Sequence, residues 1–216
     1  MLPNIDQVLY AKFKVEGYGL KIYKEDPVTT IPEIVDLGYL DVRRNLHHID
    51  SEQRCSFKQV VVSFIEGLLA RPPANQTEFD QSHHECCQQC LVCSSPRGPA
   101  CIHYGHAQKL LNMSLKYLYN EYAVYKGKHN HFGFPDNNIE SFFHLPIDCQ
   151  TRNRLVRSCY FKDPTRLPWS KWSYEHYISF QHQLRKRISA QYRPLEIDYM
   201  VWNTEEPSLE NAIAPI

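Results

Sequence analysis

No stretch of the 216 residues approaches the roughly 20 consecutive apolar side chains that cross a bilayer. The opening MLPNIDQVLYAKFKVEG has no basic segment leading into an apolar one, so neither a membrane span nor an export signal is expected and the chain reads as cytoplasmic. Net charge is missing as well. With 24 Lys plus Arg against 24 Asp plus Glu, the molecule as a whole does not steer toward phosphate backbones or anionic membranes, and any nucleic-acid contact must rest on a local patch. Glycine is sparse at eight residues, and no Gly-rich phosphate cradle, nucleophile elbow or His-Glu-x-x-His helix occurs. Those absences argue against the common nucleotide-binding and hydrolase classes.

A hydrophobic fraction of 43% with 22% charged residues is that of a globular protein, and the length suits one domain over residues 1–216. Alternation within residues 8–24, with Phe13 and Val15 before Glu16-Gly17 and Leu20 and Ile22 after it, predicts a hairpin. The same alternation at Leu195, Ile197, Tyr199 and Val201 predicts a strand over 194–203. Between them the period turns helical over residues 56–190. The expected fold is mainly α, a compact helical core with a small antiparallel sheet formed by the N- and C-terminal segments.

Five helices stand out. Phe57, Val60, Val61, Phe64, Ile65, Leu68 and Leu69 recur in steps of three and four until Arg71-Pro72-Pro73 stops them. A second helix is expected to begin at Thr77, with Asp80 reaching back as an acidic capping box, and to carry His83, Cys86, Cys87 and Cys90. In the third, Ala107, Leu110, Leu111, Ser114, Leu115 and Leu118 form one stripe, leaving Lys109, Asn112 and Lys116 on a face expected to be free. Pro146 and Asp148 mark the start of another, and Tyr174 to Ile188 the last.

Of eight Cys, five fall between Cys86 and Cys101, and without an export signal they are expected to be reduced. Overlapping Cys-x-x-Cys pairs near His83 and His84 offer soft ligands at helical spacing, and Cys87, Cys90, Cys101 and His103 are the candidate zinc set. Burial as small hydrophobes accounts for the same cysteines. The function that a zinc site implies is a non-catalytic interaction or adaptor protein stabilised by the metal.

The second constellation is Ala107-Gln108-Lys109 followed by Pro146-Ile147-Asp148. An amine on one helix beside a carboxylate at the mouth of another is a nucleophile with a proton acceptor, although Asp148 also suits a helix dipole and Lys109 a solvated face. The pairing resembles the helix-hairpin-helix DNA glycosylases, and that resemblance implies Lys109 as nucleophile and Asp148 as activating carboxylate in base excision. More of the chain, through Ala107-Gln108-Lys109-x-Leu111-Asn112-Met113-x-Leu115-Lys116-Tyr117-Leu118, Pro146-Ile147-Asp148 and Trp169-Ser170-Lys171-Trp172, resembles an uncharacterised family of prokaryotic helical proteins. That likeness implies a shared fold and carries no activity.

Arg152, Arg154, Arg157 and Lys171, with Lys116 and Trp169, give the expected nucleic-acid contacts, because cations neutralise phosphates while aromatic faces stack on unpaired bases. DNA or RNA is thus the expected partner. The tract Asn45-Leu46-His47-His48-Ile49-Asp50 has acid–base and ligand groups with no evident partner.

Overall fold

A computed structural model describes residues 30–93, 102–125, 133–134, 138–157, 167–190, 192–202 and 212–214. The expected hairpin at 8–24 lies outside the described residues. Among the described residues seven α-helices follow one another: α1 (Ile31–Val42), α2 (Ser51–Ala70), α3 (Gln76–Val92), α4 (Tyr104–Tyr125), α5 (Cys149–Arg157), α6 (Tyr174–Arg187) and α7 (Pro194–Trp202). Short 3-10 turns occupy Arg43–Asn45, Ile139–Phe142 and Trp169–Lys171.

Local chemistry sets the starts. Thr30 and Glu33 form a reciprocal capping box on α1, whose second position is Pro32, and Asp50 and Gln53 form one on α2. Asn75 caps α3 by accepting the Glu78 N–H at 3.0 Å. The cap expected at Thr77 therefore lies two residues earlier, at Asn75, and Asp80, read as the partner of Thr77, is instead buried beside His144. No helix among the described residues is long and apolar enough to cross a membrane.

The core is organised around α4. From Tyr104 to Tyr122 every residue is buried, so the helix is wrapped by α1, α2, α3 and the Trp169–Lys171 turn and has no free face. This corrects the amphipathic reading: the stripe of Leu110, Leu111, Leu115 and Leu118 packs, but Asn112 and Lys116 opposite are just as buried. Each of those leucines contributes about 1.5–3 kcal/mol of burial. Gly38 lets α1 lie directly on α4, since a Cβ there would strike Ser114 and come within 3.2 Å of the Leu110 carbonyl.

The small antiparallel sheet is overturned. Among the described residues there is no strand, and the sole strand-like pairing is one antiparallel bridge between Ile188 and Ile213. The 194–203 segment is α7. Its alternation misled because Pro194 to Val201 are all buried, acids included: Glu196 and Asp198 find partners inside, so the period of two marks no solvent face.

Candidate functional site

Between the Ile139–Phe142 turn and α5 the chain crosses the core without a strand to pair with, and buried side chains satisfy its backbone instead. Gln181 donates to the Leu145 carbonyl at 2.7 Å and accepts the Leu145 N–H at 3.1 Å. Gln108 holds Ile147 in the same way, donating to its carbonyl at 2.9 Å and accepting its N–H at 3.4 Å. The Arg185 guanidinium binds the carbonyls of Ser141, Phe142 and Phe143.

Because Gln108 holds Ile147, the next residue on each segment also meets. Lys109 Nζ donates to Asp148 Oδ2 at 2.7 Å, across 39 positions of sequence. The other oxygen, Oδ1, accepts the Thr151 N–H at 2.8 Å and so caps α5. Burial alone would raise the Asp148 carboxyl; the Lys109 ammonium and Thr151 outweigh it and hold the group below the usual carboxylate range. Side-chain exposure is 9% for Lys109 and 15% for Asp148, so the pair lies at the inner edge of the core rather than sealed within it. The Trp169 ring centroid is 5.4 Å from the ammonium.

Two turns along α4 a second pair is sealed completely. Lys116 bonds Asp198 Oδ2, with exposures of 1% and 2%, and its ammonium is 4.5 Å from the Tyr199 ring centroid. Asp198 Oδ1 accepts the Thr151 hydroxyl at 3.1 Å. Thr151 therefore links the two ion pairs, its backbone to Asp148 and its side chain to Asp198. Tyr117 donates its hydroxyl to Asp41 on α1.

The expected nucleic-acid patch is partly redistributed. Lys116 is inside the protein, where an ion pair and an aromatic ring replace water, so its place in a surface patch is corrected. Trp169 and Trp172 are both buried. Arg157 and Lys171 are exposed and Arg152 is half-buried, while the exposed Arg154 spends one N–H on the Val201 carbonyl at 2.9 Å.

Of the candidate zinc set, Cys87 and Cys90 are buried, His103 is exposed, and Cys101 lies outside the described residues. Among the described residues no three His, Cys, Asp or Glu side chains are grouped to hold a metal ion. Burial drives the Cys87 and Cys90 thiols well above their ordinary values. Cys87 Sγ is 3.8 Å from His83 Nδ1, and His83 Nε2 is 3.0 Å from Asn112 Oδ1. That order of thiol, imidazole and carboxamide occurs in cysteine proteases. Here burial pushes the imidazole well below and the thiol well above neutrality, so both are uncharged and the thiol is no nucleophile.

Sequence reasoning missed a buried polar line. Asp80 accepts from His144 Nε2 at 2.8 Å; His144 Nδ1 accepts the Tyr177 hydroxyl at 2.7 Å; that hydroxyl accepts from Asn112 at 2.8 Å, and Asn112 donates to Gln108 at 3.1 Å. His182, 53% exposed, meets the outer oxygen of Asp80 at 3.1 Å. A continuous line thus runs from solvent to the clamp that holds Ile147. Its members come from α3, α4, the crossing segment and α6, and no local motif brings them together. No family model, curated protein or solved structure matches the chain.

Proposed function

We propose that the chain is a nucleic-acid-associated protein in which Lys109 and Asp148 process an unstacked nucleotide. The observation that carries this reading is the 2.7 Å contact between Lys109 Nζ and Asp148 Oδ2 at a partly accessible edge of the core. Trp169 beside the ammonium, Arg152 one turn on from Asp148, and Lys171 two residues on from Trp169 supply aromatic and cationic neighbours for a base and its phosphates. Asp148 takes a proton from the Lys109 ammonium. The freed amine pair forms the bond to the anomeric carbon as the bond to the base breaks, and the departing base keeps that electron pair and receives the proton from Asp148. Asp148, again a carboxylate, takes one proton from the alkylated nitrogen; the nitrogen electron pair then forms the C=N bond as the bond from the anomeric carbon to the ring oxygen breaks, and that oxygen receives the proton, which leaves an iminium between Lys109 and the sugar.

Borohydride reduces that iminium to a stable amine. Oligonucleotides carrying an abasic site, uracil or an alkylated purine are incubated with the protein and borohydride. A covalent adduct is expected from the wild type, absent in Lys109→Gln and at least 100-fold slower in Asp148→Asn, on the order of the loss of a general base. An adduct that survives Lys109→Gln, or none from any of these strands, sinks the reading.

A second reading is favoured by the Thr151 N–H on Asp148 Oδ1: the pair is a clamp that caps α5 and ties it to α4. Under it Lys109→Gln lowers thermal stability and leaves nucleic-acid binding unchanged.

A further inference from the structure

A cleft of about 640 Å³ opens between α1, the Arg43–Asn45 turn and α2, within the size range of small-molecule sites. Its walls divide by chemistry. Leu37 and Leu40 give a half-buried apolar side, while Arg43, Arg54 and Lys58 give a cationic one with the His47 ring beside them. Among the described residues Asp36 is the one acid lining it, already bonded to Lys58 at 2.6 Å. Neither Arg43 nor Arg54 has a carboxylate partner among the described residues. In a chain of zero net charge, two guanidiniums without carboxylate partners beside one cleft are a local excess that an anion satisfies.

The guanidinium of Arg54 lies 5.8 Å from the Tyr39 ring centroid. That is cation–π reach rather than a close stack, and the Lys58 ammonium lies 6.0 Å from the same ring, so the cations gather on the Tyr39 side of the cleft. The His47 Nδ1–H is donated to the Arg44 carbonyl at 3.2 Å, so Nε2 is the ring atom left for a ligand. Inorganic phosphate would use the cations and leave the leucines idle. A fatty acid would use the leucines and a single cation. A nucleotide uses both sides: its phosphate on Arg43 and Arg54, its base against Arg54 and the leucines.

We propose that this cleft is a binding site for a nucleotide, its phosphate held by Arg43 and Arg54 and its base against the Arg54 side chain and the Leu37–Leu40 wall. The nucleotide comes either free or as an unpaired residue of a nucleic-acid strand. The site stands apart from the Lys109 chemistry, so adduct formation tests one and ligand titration the other.

The test is a fluorescence titration of the full chain with an N-methylanthraniloyl-labelled AMP, followed by competition with AMP, a single-stranded octanucleotide, inorganic phosphate and octanoate. Saturable binding is expected, weakened about tenfold or more by Arg43→Ala and by Arg54→Ala, as loss of a charge-assisted contact requires. Both arginines are exposed, so an unchanged melting temperature shows that the fold is kept. Asp36→Asn, which releases Lys58, is expected to tighten binding. Stronger competition by AMP identifies the free nucleotide as the source, and stronger competition by the octanucleotide identifies a strand. No saturable binding at millimolar ligand, binding indifferent to both arginine variants, or displacement by phosphate or octanoate as effective as by AMP overturns the proposal.

Discussion

Gln108 holds both backbone polar groups of Ile147, and that carboxamide stands in for a neighbouring strand. The consequence reaches one residue further on each side, because it is the register Gln108–Ile147 that sets Lys109 against Asp148. The same side chain also takes the Asn112 amide and gives an N–H to the Gly105 carbonyl, so the clamp ends the polar line that begins at His182. Position of the candidate site and integrity of the buried network are therefore one property.

Gln108→Leu keeps the volume and removes every one of these contacts. The Ile147 N–H and carbonyl are left buried and unpaired, and each orphaned group costs about 1–3 kcal/mol. Denaturant unfolding is expected to show a loss of about 3 kcal/mol or more, with the Lys109 adduct reaction reduced even though Lys109 is intact. A change within 1 kcal/mol would mean that the segment finds its hydrogen bonds elsewhere.

The pairing of Lys109 with Asp148 was legible because both residues sit in short, distinctive segments and a helix start attracts a carboxylate. The core helix at Phe57 to Leu69 was legible from its period and its proline stop. What escaped shares one cause. Periodicity reports a boundary between protein and water, and neither α4 over Tyr104–Tyr122 nor α7 over Pro194–Val201 has one. Lys116 reads as a surface charge until Asp198 is seen as its partner, 82 positions away. Helix α1 was overlooked although Thr30, Pro32 and Glu33 spell out its start.

Acid is expected to weaken the fold through its buried imidazoles. Burial depresses His144 to about 4, against the opposing pull of Asp80, and burial with neighbouring His103 and His48 does the same to His106. In the unfolded chain both return to about 6.5. The unfolded state therefore takes up protons first as pH falls, so the stability contributed by the two histidines is full above about 6.5, declines between about 6.5 and 4, and levels off below. The loss is on the order of 3 kcal/mol for each histidine. Urea midpoints measured from pH 7.5 to 4.5 check this, and a flat profile contradicts it. Asp80, held far below the ordinary carboxylate value by His144, Gln76 and His182 despite its burial, stays ionised in the folded state across this window; the unfolded carboxyl, at about 3.8, begins to take up protons below about pH 5, so Asp80 adds to the decline at the acid end.

Lys116→Met would leave the Asp198 carboxylate buried without its cation. Removing one partner of a buried pair costs about 3–5 kcal/mol, whereas replacing both by apolar groups is often neutral. The double variant Lys116→Met with Asp198→Leu is thus expected to be more stable than Lys116→Met alone, short only of the Thr151 hydroxyl bond. A double variant no better than the single one would show that the pair does not act as a unit.

Gly105 has a positional role that a methyl group tests. A Cβ at this first turn of α4 would strike the Trp169 carbonyl and come within 2.6 Å of the Ser170 Cα, both backbone atoms with little room to yield. Gly105→Ala raises helix propensity by up to about 1 kcal/mol, but the collision is expected to outweigh it at about 1–3 kcal/mol. The Trp169–Lys171 turn must move outward, carrying the indole away from Lys109. Tryptophan emission should shift to longer wavelength as Trp169 gains water, while Lys109 and Asp148, which are positioned by Gln108, stay paired. Loss of adduct formation in this variant would make the Trp169 ring part of the nucleotide's seat; retained activity with shifted emission would confine its role to packing.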